Sequence, residues 1–161
     1  MINDRQTFSH FILKFTIIFI VGLGFVNTSF APENNAVFDE NYRLISYPGK
    51  IATECPSQDK NTAVILVIGQ SNSANHGKER MHTSYPNKVF NYFNGKCYAA
   101  SSPLLGASGE DGEFITPLAD YLISKGVYDK VLIIASGVNG SEIKRWAKGG
   151  ALNKLLVSIL E

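Results

Sequence analysis

Charge of one sign is scarce in this chain: 15 Lys and Arg stand against 14 Asp and Glu, leaving a net charge of +1. A protein that follows a phosphate backbone carries a basic excess, so no nucleic-acid partner is expected. Cysteine is scarce too. Cys55 and Cys97 are too few for a disulfide-framework miniprotein, and no zinc-ligand cluster can be drawn from them. Neither an internal repeat nor a low-complexity tract is present. Charged residues make up 18% and apolar residues 45%, a balance that excludes an intrinsically disordered chain. A length of 161 residues allows one domain.

Long hydrophobic runs are also missing, with one partial exception. Arg5 and Lys14 precede an apolar stretch from Phe15 to Val26. At about 12 residues it fits the core of an export signal and falls short of the roughly 20 that span a bilayer. Ser29 and Ala31 supply small residues at −3 and −1 of a cleavage site, although Pro32 directly after it is unfavourable. Residues 1–31 therefore read as a signal peptide. An uncleaved anchor holding the membrane through residues 11–30, or a buried core helix, are the alternatives. The expected location is periplasmic or extracellular. In an oxidising compartment Cys55 and Cys97 would close a loop of about 43 residues, contributing about 4 kcal/mol in the chain-entropy model. Two separate buried thiols remain the other reading.

Residues 32–60 are polar and read as an irregular lead-in with at most one short strand, around Tyr42 to Ser46. Residues 61–161 hold the domain proper. TAVILVIG at 62–69 is a continuous β-branched run, the pattern of a fully buried strand in a parallel sheet. A polar loop follows at 70–80, and KVFNYF at 88–93 is a second strand. Pro103, Gly106, Gly109 and Gly112 mark a long loop. From Phe114 to Lys125 the apolar residues Phe114, Leu118, Tyr121 and Leu122 form a helical stripe stopped by Gly126. KVLIIA at 130–135 is another buried strand, and SGVNGS at 136–141 a tight loop. Ser141 caps a short helix running through Trp146, with Glu142 in its first turn. A last helix at 151–161 places Leu152, Leu155, Leu156, Ile159 and Leu160 on one face. This alternation predicts an α/β fold with a parallel sheet.

In open α/β sheets ligands bind beyond the carboxyl ends of the strands. Two loops qualify, Gly69-Gln70-Ser71-Asn72 and Gly137-Val138-Asn139-Gly140. A serine on a sharp glycine-started turn lifts its hydroxyl clear of the strand, and its own N–H can face an oxyanion. The Asn139 side chain can donate to the same oxyanion, and the 106–112 loop can add a backbone N–H. Position alone leaves a plain helix N-cap as the alternative for Ser71, and simple turn geometry for Gly109 and Gly112.

Three strings are more specific together: VILVIGQSNSANHG, SPLLGASGEDGEF with the helix after it, and VLIIASGVNGSEIKRWAKGG. On these the chain resembles the SGNH-hydrolase superfamily, in its sialate O-acetylesterase-like branch (carbohydrate esterase family 6 and relatives), from about Val64 to about Leu156. The resemblance implies a three-layer α/β/α, flavodoxin-like fold with a parallel sheet, incomplete at the C-terminus. It implies Ser71 as nucleophile, and an oxyanion hole from the Ser71 N–H, Gly109 or Gly112, and Asn139. Gln70, Asn72 and Trp146 are the candidate substrate-binding residues. Trp146, in a shared Ser-Ile-x-x-Trp pattern, is either a sugar-stacking platform or a residue packed on the sheet. The implied substrate is an acylated carbohydrate, with neither metal nor organic cofactor required.

A serine esterase also needs a base and an acid to orient it. In this family an Asp-x-x-His supplies both, after a strand carrying Trp-x-Gln-Gly-Glu. Neither motif occurs in the 161 residues, so the chain alone is expected to be inactive or nearly so. His76, five residues after Ser71, is a candidate replacement base without an Asp to orient it; a solvated loop residue is the plainer reading. His82 is expected at the surface. Lys144, Arg145, Lys148 and Lys154 read as a solvated helix face. The rival to the esterase is a non-catalytic carbohydrate-binding or envelope remnant. KVLIIA is expected to lack a neighbouring strand and to expose apolar surface.

Overall fold

The computed structural model describes residues 35–160, all within the unit Pro32–Glu161. The signal or anchor expected at 1–31 lies outside the described residues. Seven strands and three helices follow in chain order: β1 (Val37–Phe38), β2 (Leu44–Ser46), β3 (Ala52–Thr53), β4 (Thr62–Val67), β5 (Val89–Phe93), β6 (Lys96–Ala99), α1 (Ile115–Ser124), β7 (Lys130–Ala135), α2 (Ile143–Trp146) and α3 (Ala151–Leu160). The fold is mixed α/β. Its main sheet has the order β3-β6-β5-β7-β4, and β1 pairs with β2 in a separate ribbon. Neighbours β4, β7 and β5 are parallel, whereas β6 is antiparallel to both β5 and β3. Four of the five strands thus point one way, which makes the sheet mostly parallel.

The β-branched runs meet in register, from Thr62 opposite Lys130 to Val67 opposite Ala135. Side chains alternate across the pleat, so Ala63, Ile65 and Val67 join Val131, Ile133 and Ala135 on one face. There they meet Ile115, Ala119 and Ile123 of α1. Phe90 and Leu132 are buried on the opposite face, with Cys97. The apolar surface removed from water here, about 1.5–3 kcal/mol for each large side chain, is the main force holding helix to sheet.

Several expectations are corrected. The strand at 62–69 is not fully buried: β4 is an edge strand, and Val64, Leu66 and Ile68 are exposed. KVLIIA is the buried strand expected, but the apolar surface it was also expected to expose is covered: it lies between β5 and β4 with Val131 to Ala135 all buried. The 32–60 segment holds three short strands rather than one. Strand β6 was not expected at all; Asn94 and Gly95, both at positive φ, turn β5 back into it. On α1 the buried stripe is Ile115, Ala119 and Ile123, whereas Phe114, Leu118 and Tyr121 face water. Both stripes have helical spacing, and the sheet selects one. At α2 the N-cap is Glu142, without a side-chain cap bond; Ser141 Oγ instead accepts the indole N–H of Trp146 at 2.9 Å. Of the two cysteine readings, the structure shows the bonded one: Cys55 and Cys97 form a disulfide with Cα atoms 5.0 Å apart.

Candidate functional site

Strands β4 and β7 end side by side, so the loops after them leave the sheet together. Gly69 O accepts the Val138 N–H at 2.9 Å, and Val67 O accepts that of Ser136 at 2.8 Å. The backbones then touch: a β-carbon on Gly137 would collide with the carbonyl of Ser73. Glycine is required there by close approach rather than by conformation.

Ser71 opens a single 3-10 turn, Ser71–Ser73, directly after this crossing. It is not an N-cap; that position is Gln70, whose side chain makes no cap bond. Ser73 donates to Gln70 O at 2.8 Å and Ala74 to Ser71 O at 3.2 Å, which closes the turn. Ser71 is half-buried, while Gln70 and Asn72 are exposed.

Asn75, fully buried, ties this loop to the glycine loop. Its amide nitrogen donates to Leu104 O at 2.9 Å and Gly109 O at 3.3 Å, and its amide oxygen accepts the Leu104 N–H at 2.8 Å. Its backbone N–H donates to Ser108 O at 2.8 Å. Ser108 in turn binds the third loop. Its N–H donates to Gly137 O at 2.9 Å, and its Oγ accepts the Asn139 N–H at 2.7 Å. Each of the three loops is therefore bonded to the other two. Neither Asn75 nor Ser108 was singled out from sequence, since asparagine and serine are ordinary loop residues.

The two candidate glycines differ. The Gly112 N–H donates to Gly77 O at 2.9 Å and is thereby occupied. Among the described residues, the N–H groups of Ser71 and Gly109 meet no backbone acceptor. Gly109 has φ +87, and a β-carbon there would lie 2.8 Å from Cε1 of His76, so the imidazole rests on the bare backbone.

Two clefts adjoin these loops. One, of about 670 Å³, is lined by Ser71, Asn72 and His76, with Glu113 and Phe114 at the start of α1. The other, of about 390 Å³, is lined by Gly109, Asn139, Ser108 and His76, and by Phe38 and Tyr42 from the lead-in. His76 is the wall they share. Trp146 and His82 line neither. Ser71 is thus grouped with Asn72 and His76, and Gly109 with Asn139.

Glu113 is buried at the first cleft, yet both its oxygens are committed. Oε1 accepts the Ser102 hydroxyl at 2.9 Å; Oε2 accepts the N–H of Ile115 at 2.5 Å and of Thr116 at 2.8 Å. It caps α1, supplying acceptors where a helix start has orphan donors. Behind the same loop, Lys50 donates to Ser101 O and Pro103 O, both at 2.5 Å. Burial pushes its ammonium down to about 8, against an opposing pull from the Glu113 carboxylate. Among the described residues, no three His, Cys, Asp or Glu side chains gather as a metal site would require. Comparison with protein-family models and with curated proteins finds no match to this chain.

Proposed function

We propose that this chain is an exported serine ester hydrolase of the SGNH type, acting on acylated carbohydrate hydroxyls, within a three-layer α/β/α fold. What supports this is the mutual bonding of the three loops that carry Ser71, Gly109 and Asn139, two of which leave the carboxyl ends of neighbouring parallel strands. N–H groups at Ser71 and Gly109 that meet no backbone acceptor among the described residues, with the exposed Asn139 amide, are the donor types an oxyanion needs.

In the proposed reaction the Ser71 hydroxyl oxygen bonds to the acyl carbon. The bond from that carbon to the sugar oxygen breaks, and the serine proton passes to the leaving oxygen. Water then cleaves the acyl-serine, releasing the acid and restoring the hydroxyl. Losing triad members costs several orders of magnitude in rate. Since the 161 residues hold no Asp-x-x-His, turnover by this chain stands near background.

The test is p-nitrophenyl acetate in excess, with mass spectrometry of the protein. The expected result is an acetyl group on Ser71, no such adduct in Ser71→Ala, and negligible multiple turnover. No adduct on Ser71, either from this ester or from a fluorophosphonate, sinks the esterase reading. Sustained hydrolysis that depends on Ser71 refutes the near-background turnover instead. A second reading, a non-catalytic carbohydrate-binding domain, is favoured by His76 being exposed with no carboxylate bonded to its ring among the described residues. It predicts saturable sugar binding unaffected by Ser71→Ala and no adduct.

A further inference from the structure

Tyr42 is placed expensively. Its φ is 64, in the left-handed region where a β-carbon crowds the next carbonyl and glycine or asparagine is the usual occupant. The residue is 73% exposed, so little burial offsets the strain. Strain kept at an exposed aromatic side chain points to a ligand for that side chain.

The turn that holds it is braced. Asp39 O accepts the Tyr42 N–H at 3.0 Å, and one Asp39 carboxylate oxygen accepts the N–H groups of Asn41 and Arg43, both at 2.9 Å. The other carboxylate oxygen accepts Nε of the buried Arg43 at 2.8 Å. Strand β2 is bonded to the glycine loop itself: Leu44 donates to Ala107 O at 2.9 Å, and Gly106 to Leu44 O at 2.8 Å. The lead-in is therefore built onto the loop that carries Gly109. Phe38 and Tyr42 consequently share the 390 Å³ cleft with Gly109, Asn139 and His76.

We propose that Phe38 and Tyr42 form a stacking platform for the sugar ring of the substrate. A pyranose presents an apolar face of C–H groups and a rim of hydroxyls. The aromatic pair suits the face; the Asn139 amide and the His76 imidazole suit the rim. An acyl chain has no hydroxyl rim for the His76, Ser108 and Asn139 side chains of this lining to bind. The inference rests on the esterase reading for the acyl end of the substrate; the ring-binding half stands on the cleft.

The test is a titration of the full chain with methyl 6-O-acetylglucopyranoside and with its deacetylated parent, followed by amide chemical shifts. Both sugars are expected to bind saturably. Tyr42→Gly weakens them roughly five- to tenfold, while Tyr42→Phe retains affinity. Glycine suits the left-handed backbone, so Tyr42→Gly keeps its melting temperature and folding is not at issue. Unchanged affinity in Tyr42→Gly, or no saturable binding by the natural chain, overturns the platform. The Ser71 adduct is measured in parallel. An adduct with unchanged affinity leaves the esterase standing and removes the platform. Ring-dependent binding without an adduct does the reverse.

Discussion

Strands β4 and β7 are both six-residue runs rich in apolar residues, TAVILV and KVLIIA, paired in register along their whole length. Their surroundings are opposite. Every residue of β7 from Val131 to Ala135 is buried, between β5 and β4. β4 has one neighbour, and Val64 remains 46% exposed. An apolar, β-branched run therefore specifies a strand without specifying how many partners it has. The two edges of the sheet differ in the same way. At β3, two residues long, the edge is held by the Cys55–Cys97 disulfide and the bonds of Lys50 to Ser101 and Pro103. At β4, six residues long, the outer side is unpaired among the described residues.

These contrasts can be broken experimentally. The largest effect is expected at the stapled edge. Replacing both Cys55 and Cys97 with serine releases a loop of about 43 residues and lowers unfolding stability by about 4 kcal/mol, read by denaturant titration. An unchanged midpoint would mean the disulfide does not form in solution. Within the strand pair, Ile133→Ala in β7 is expected to cost about 2–5 kcal/mol, because it opens a cavity at a fully buried site. Leu66→Ala in β4 costs less than about 1 kcal/mol, since its side chain already meets water. Equal losses would show that β4 is covered in solution.

A separate prediction concerns pH at the β3 edge. Burial lowers the folded Lys50 pKa to about 8 from its ordinary 10.5. Between those values the unfolded chain binds the extra proton, so stability rises with pH across that window. Measured against the non-titrating Lys50→Met, the natural chain is expected to gain in melting temperature from pH 8 to 10. A constant difference across that range would place the ammonium in water.

Strands β4, β5 and β7 and helices α1 and α3 were legible because each has a run long enough to display its period. The two-residue strands β1 and β3 have no period, and only their partners define them. Strand β6 was missed although Asn94-Gly95 is a hairpin signal of the strongest short-range kind. At the candidate site, Ser71 and Asn139 were singled out from their position after strands, and Gly109 and Gly112 from their loop. The difference between the two glycines was not readable, because it turns on the Gly77 carbonyl taking the Gly112 N–H. Asn75, Ser108, Phe38 and Tyr42 were invisible for a related reason. Their significance lies in groups 29 or more residues away, such as Leu104 for Asn75 and Asn139 for Ser108.

Local patterning by itself determined where the longer strands β4, β5 and β7 and the longer helices lie, and that polar loops follow β4 and β7. Both are consequences of side-chain period and backbone preference over a few residues. Tertiary structure alone decided which strand became the edge, which stripe of α1 was buried, and which loop residues face a common cleft. Those outcomes depend on hydrogen bonds and excluded volume between segments far apart in the chain, and such contacts exist only once the sheet has formed.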